Sequence, residues 1–222
     1  NYVLMCDIEM SAAKVVDAGQ NVKLCLNGFD ITCTNAKVYS VYGQLSICDC
    51  CTQAGTVSGG NTGNGGTISS MDGGTLNIYG GTFTSHVTAA RGGVAYITAS
   101  GVLNMYGGTI TTSYGGNVAN YGLFVLSGGV IEKGTSASSG NASSNFDSRG
   151  KLVINGGALR NPLKGNNLLI VSGEGVTVNG GTVQCSTGHN VRIWDSGKLT
   201  VTGGALIGGG TTDNVYADKG AT

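Results

Sequence analysis

Proline is almost missing from this chain, one residue in 222 against 41 glycines. So little proline excludes a Pro-rich linker, and so much glycine without a strict three-residue period excludes a collagen triple helix. Charge is thin as well. Charged side chains are 11% of the residues, 12 basic against 12 acidic, and the formal net charge is zero. That leaves no basic stripe to meet nucleic acid or an anionic membrane surface. No apolar run approaches the roughly 18–20 residues of a spanning helix, so membrane insertion is not expected. Helical periodicity is also absent over any ten residues, which points to an all-β chain. The hydrophobic share, 40%, is ordinary for a folded protein. A chain that opens "NYVLMCDIEM", without Met or a cleavable leader, reads as a processed or excised piece.

What the sequence has in place of these is a repeat. "LNIYGGTFT" begins at Leu76, "LNMYGGTIT" at Leu103, "FVLSGGVIE" at Phe124, "LVINGGALR" at Leu152, "VTVNGGTVQ" at Val176 and "LTVTGGALI" at Leu199. Their Gly-Gly pairs are separated by 27, 21, 28, 24 and 23 residues. Looser copies start at Val22 and Leu45, and "YVLMCDIEM" is a candidate first coil, for about nine in all. A second apolar stretch ending in a polar-Gly turn precedes most phrases, as in "VAYITASG", "LLIVSGEG", "VRIWDSG" and "VYADKG". Alternation such as "LTVT" is the period-two signature of a strand with one face buried.

One coil is therefore strand, Gly turn, strand, Gly-Gly bend, short strand and variable loop. Near-copies at a period near 24 predict a parallel β-helix whose coils stack about 4.8 Å apart. Phe83, Ile110, Ile131, Leu159, Val183 and Leu206 should then form one inward column. Leu76, Leu103, Leu152, Val176 and Leu199 should form another. Gly-Gly fits a corner that needs positive φ. Loops such as 132–147 should emerge along one edge. The whole of 1–222 reads as one solenoid, or a piece of a longer one, with Cys-rich first coils over 1–60 and Gly-Gly coils over 61–222. These coils, with "KLCLNGFDI" and "YSVYGQLSICDC", resemble right-handed parallel β-helix regions of large secreted or surface-anchored bacterial proteins, of the pectate-lyase-like superfamily. The resemblance implies right-handedness and an extracellular or cell-surface setting. It leaves activity open, because that fold hosts lyases, hydrolases, adhesins and stalks.

No catalytic residue is assigned. The resemblance brings the polysaccharide lyase and glycoside hydrolase chemistries into view, which need clustered carboxylates with Ca²⁺ or a base, or paired acids. Acids here are few and rarely share a column; Asp195 and Asp218 are the pair expected at equivalent positions. His189 and Arg192 lack the acid motifs of polygalacturonase-like enzymes, and His86 has no acidic neighbour in sequence. No cofactor or metal is assigned. Seven cysteines, six of them within the first 51 residues, read as local staples. Cys25 and Cys48 fall in one column and are the disulfide candidates, with Cys6 as an extension; free thiols, a zinc site and pairing with another chain are the alternatives.

Outward columns are where a rod carries function. Asn77 should stack with Asn104 and Tyr79 with Tyr106, while Tyr96 and Tyr121 lie in the same middle coils. Tyrosine rings beside amides suit a polysaccharide or other glycan, rings against C–H groups and amides on hydroxyls. The bland reading is that Tyr and Thr are good strand residues. The Thr82/Thr84 and Thr109/Thr111 ladder resembles ice-binding solenoids, but Val130, Glu132, Ala158 and Arg160 interrupt it. No capping helix is evident, so copies stacking end to end are a further expected partner. The expectation is a non-enzymatic rod, structural or adhesive, with a fibre subunit and then an enzyme as alternatives.

Overall fold

A computed structural model describes the chain except for residues 90, 113, 135–143, 161, 164, 172–173, 187, 209–212 and 219–222. Most of the loop expected over 132–147, part of "LLIVSGEG" and the end of "VYADKGAT" lie outside the described residues. The rest is a right-handed parallel β-helix built from three nine-stranded sheets, every pairing parallel. One coil shows the plan. Thr75–Ile78 lies in the first sheet, Thr82–Ser85 in the second and Ala95–Ile97 in the third; the next coil begins with Val102–Met105. Nine strands per sheet match the coil number expected from the repeat.

Both inward columns form. Phe83 pairs with Ile110, then Ile131, Leu159, Val183 and Leu206 follow in register. Leu76, Leu103, Phe124, Leu152, Val176 and Leu199 make the other. Most of these side chains are no more than 1% exposed. Phe124 fills the place that the leucine phrase leaves in "FVLSGG", and packs edge-on against Phe146 at 5.0 Å. Each column is continuous because alternation gives one face of each strand to the core, and register repeats that face in every coil.

The two glycines of the corner have different duties. The second takes positive φ, +87° at Gly81 and +81° at Gly129, where an L side chain is strained. The first has ordinary φ but no room. A Cβ on Gly128 would stand 2.3 Å from the carbonyl oxygen of Tyr106 in the coil below. The corner is thus a backbone-on-backbone contact.

A second device closes the opposite side. Asn117, Asn145, Asn167, Asn190 and Asn214 occupy one column at the entry to the third sheet, each preceding register partners Val118, Phe146, Leu168, Val191 and Val215. Each of the first four side-chain amides donates to the Oδ1 of the next rung, at 2.5, 3.0, 3.1 and 2.9 Å in turn, and Asn214 donates to the Leu206 carbonyl at 3.0 Å. The amides also bond carbonyls at the end of the second sheet, Asn167 to Leu159 and Gln184 at 2.9 Å each. The ladder ends where Val94 takes the column, since Val94 precedes Ala95, the partner of Val118. There Asn117 Oδ1 is buried with no hydrogen-bond partner.

Gly128→Ala should therefore destabilise the fold by about 2–4 kcal/mol, because a backbone cannot rotate away. Gly115→Ala, where an added Cβ meets nothing within 4 Å, should change stability by less than about 0.5 kcal/mol. Urea melts of both variants check this. Asn167→Leu strips the middle of the ladder and should cost about 3 kcal/mol or more through unpaired buried partners. Asn214→Leu, at the exposed end rung, should cost clearly less in the same assay.

Candidate functional site

The first tyrosine pair stands at the Gly-Gly corner. Leu76 and Ile78 point into the core, and Tyr79 follows Ile78 just before the bend. Tyr106 follows Met105, the register partner of Ile78. The rings therefore stack, with centroids 4.8 Å apart and planes at 11°, and stay 52% and 47% exposed. Below Tyr79 a shallow cavity of about 240 Å³ is lined by Lys23, Ser46, Cys48 and Tyr79 itself. Above Tyr106 the same column becomes Ser127, Asn155, Asn179 and Thr202, since the residues before them are in register. Asn179 donates to Asn155 Oδ1 at 2.9 Å, and Thr202 donates to Asn179 at 2.7 Å.

Asn77 and Asn104 are register partners as expected, but the amide of Asn77 is committed. It is only 5% exposed, donates to Ser46 Oγ at 3.3 Å and accepts from Asn104 at 2.9 Å. Of the two, Asn104 is the more accessible.

Tyr96, in the middle of the third-sheet strand Ala95–Ile97, and Tyr121, at the turn from that sheet back to the first, form the second pair. Their rings are 5.4 Å apart and tilted by 44°. Arg91 hydrogen-bonds the Tyr121 hydroxyl, and the guanidinium groups of Arg91 and Arg149 lie 5.9 and 5.7 Å from the Tyr121 ring centre. Arg149 also pairs with Asp147 at 3.1 Å. Asp147 belongs to Ser144–Ser148, a strand buried along its length, and its Oδ1 has no hydrogen-bond partner. Burial pushes its carboxyl above the usual aspartate range, against the pull of Arg149 and Arg91. The patch gathers two guanidinium groups, Asp147 and, acting on Tyr96, Asp72. Composition could not show it, because Arg91, Tyr121 and Arg149 come from different coils.

The cysteines gather as the column predicts, with a different contact. Cys25 and Cys48 are in register and their side chains interact, all seven thiols are free, and the Cys25 thiol hydrogen-bonds that of Cys50 at 3.0 Å. Cys6 does not extend the column, because Val3 is the register partner of Cys25. Asp195 and Asp218 are also not equivalent. Ile193 pairs with Ala217, which puts Asp218 level with Trp194. Asp218 instead holds Arg192 through two hydrogen bonds of 2.9 and 3.1 Å, and Arg192 keeps its carboxyl below the usual range. Glu132 pairs with Arg160 at 2.9 Å. Glu132 and Asp218 thus each face an arginine, while Asp7, Asp30 and Asp49 accept from backbone amides. Among the described residues no three His, Cys, Asp or Glu side chains converge in a way that could hold a metal ion.

Two further placements were hidden in the sequence. His86 bridges Ser58 Oγ and the Thr34 carbonyl, both at 3.1 Å. The carbonyl accepts, which places the proton on Nε2 and leaves Nδ1 to accept from the serine. The third member is a carbonyl where a Ser-His-Asp triad has a carboxylate. The asparagine ladder could have been found from "NV", "NF", "NL", "NV" and "NV" at 117, 145, 167, 190 and 214, which recur in step with the third strand.

No family model, curated protein or solved structure matches the chain. The fold is carried by its own strand pairing.

The titration of Asp147 has a definite sign. An acid raised above its unfolded value of about 3.8 costs stability where it is ionised, and that cost fades as pH falls through the raised value. Asp147→Asn should therefore be more stable than the parent at neutral pH. The difference should shrink toward zero below about pH 4 in thermal melts taken across pH.

Proposed function

We propose that the chain is a non-catalytic β-helix rod of an extracellular or cell-surface protein, and that it holds glycan chains against the outer side of the first sheet. The observation that carries this reading is the Tyr79–Tyr106 stack, two nearly coplanar rings half-exposed on a rigid corner. A ring held this way loses little freedom when a sugar packs on it, so the apolar and C–H contacts are gained at small entropic cost. Tyr121, with Tyr96 beside it on the third sheet, flanks the other end of the first sheet. Strands such as Leu123–Leu126 separate the two ends, about 13 Å at ~3.3 Å per residue. Arg91 and Arg149 beside Tyr121 favour a glycan that carries carboxylates. Asn104 lies between the two pairs and adds an amide for hydroxyl groups.

A second reading is end-to-end assembly into a fibre. Tyr2 and Val3 are 64% and 56% exposed at one end, Val201 and Ile207 47% and 44% at the other. A cavity of about 630 Å³ opens among Tyr2, Leu4, Ile8, Val16 and Leu24. Copies stacking head to tail would cover both faces and continue the ladders, giving a fibre.

Affinity electrophoresis in gels containing alginate or a neutral glucan separates these readings. The rod should be retarded by alginate more than by the glucan. Tyr106→Ala should weaken the retardation about five- to tenfold, the loss of one aromatic contact of roughly 1–1.4 kcal/mol. Equal migration of parent and variant in both gels, with filaments growing as concentration rises, would replace the glycan reading with assembly.

A further inference from the structure

Four of the seven cysteines converge where the second and third coils leave the first sheet. Cys25 ends Asn21–Cys25, Cys48 ends Gln44–Cys48, and Cys50 and Cys51 lie in the turn that follows. Cys25 and Cys48 are held side by side by the ladder. Parallel neighbours stand about 4.8 Å apart, whereas a disulfide draws its Cβ atoms to roughly 3.8 Å. Cys50 is not bound by that spacing. The turn swings it back over the strand end and sets its sulfur 3.0 Å from that of Cys25.

This turn is held in place by its neighbours. Asp49 Oδ1 accepts from the Gly28 and Cys51 amides at 3.0 and 3.3 Å, and Oδ2 accepts from Gly55 at 2.6 Å. Asn27 donates to the Leu4 carbonyl at 3.1 Å, and its Oδ1 accepts from the thiols of Cys50 and Cys51 at 3.5 Å each. Cys50 is exposed and Cys25 partly so. The two thiols also differ in acidity. The hydrogen bond between the two thiols draws Cys25 below its usual range against the effect of burial, and the same contact pushes Cys50 up to about 11. Thiol–disulfide exchange needs such a pair, an accessible nucleophilic thiolate with a second thiol in reach.

We propose that Cys25 and Cys50 form a thiol–disulfide exchange site that reacts with small disulfides and closes into a reversible cross-link between adjacent coils. The Cys25 thiolate attacks one sulfur of a disulfide RSSR, forming a mixed disulfide and releasing RS⁻. Cys50 then loses its proton, attacks the Cys25 sulfur and expels the second RS⁻. The two cysteines give up two electrons and two protons, and RSSR is reduced to two RSH. A dithiol reductant runs the sequence backwards. Cys48, level with Cys25 and in contact with its thiol, is kept at the ladder spacing and takes no part in the exchange. The proposal is independent of glycan binding and adds a chemical property to the rod.

The test uses the full reduced chain and oxidised glutathione, with timed alkylation and peptide mapping. The Cys25–Cys50 linkage should be the dominant product, and Cys25 should react about tenfold or more faster than the exposed Cys6. Cys50→Ser should accumulate glutathione on Cys25, because the second displacement is removed. Cys48→Ser should form the Cys25–Cys50 linkage at the parent rate. A dominant Cys25–Cys48 or Cys25–Cys51 linkage, a Cys25 no faster than Cys6, or a Cys50→Ser variant that fails to trap glutathione on Cys25 would each overturn the assignment.

Discussion

Everything in this molecule depends on how closely one coil can lie on the next at the Gly-Gly corner. The carbonyl of the residue before each bend points at the first glycine of the coil above, as Tyr106 does at Gly128. Any side chain there would prise the coils apart. The second glycine then turns the chain through positive φ. Because both conditions recur, the strands on either side stay in register. That in turn stacks leucine on leucine inside and tyrosine on tyrosine outside. The core columns and the outer columns are two results of the same corner.

The asparagine ladder solves the matching problem on the other side. Loops of different length leave the second sheet and must return to the same height at the third. A buried amide at each entry bonds the rung above it and the carbonyls at the end of the second sheet. Loop length can therefore vary without loss of register. The ladder covers only the later coils. Thr67 and Val94 occupy the column below it, where Thr67 Oγ1 takes the amide of Gly59 at 3.1 Å. The orphaned Asn117 Oδ1 marks the border between two ways of closing the same turn.

Much of this was legible because the repeat is written in residues that have one structural use. Alternating Leu and Ile told the faces apart, and Gly-Gly gave the corner, so Phe83 to Leu206 could be aligned before any coordinates. Register errors appeared where the phrase is weak. Asp195 and Asp218 share the motif polar-Gly but differ by one residue in height, and Cys6 precedes the first clear phrase. The ladder escaped notice because a lone Asn before an apolar residue reads as an ordinary turn. The thiol contact escaped because Cys50 lies in a turn whose path depends on Asp49 and Asn27. The Arg91–Tyr121–Arg149 patch joins coils through loops, and loops carry no period.

The reading of the outer face as a glycan surface is tested most directly by mapping where a ligand lands. Tyrosine- and arginine-labelled protein titrated with alginate oligosaccharides, followed by NMR, gives that map. The account predicts shifts confined to Tyr79, Tyr106, Tyr96, Tyr121 and the neighbouring Arg91 and Arg149, with Tyr39 in the core unmoved. Shifts at Tyr2 and Tyr216 on the outermost coils, or none at either tyrosine pair, would contradict it.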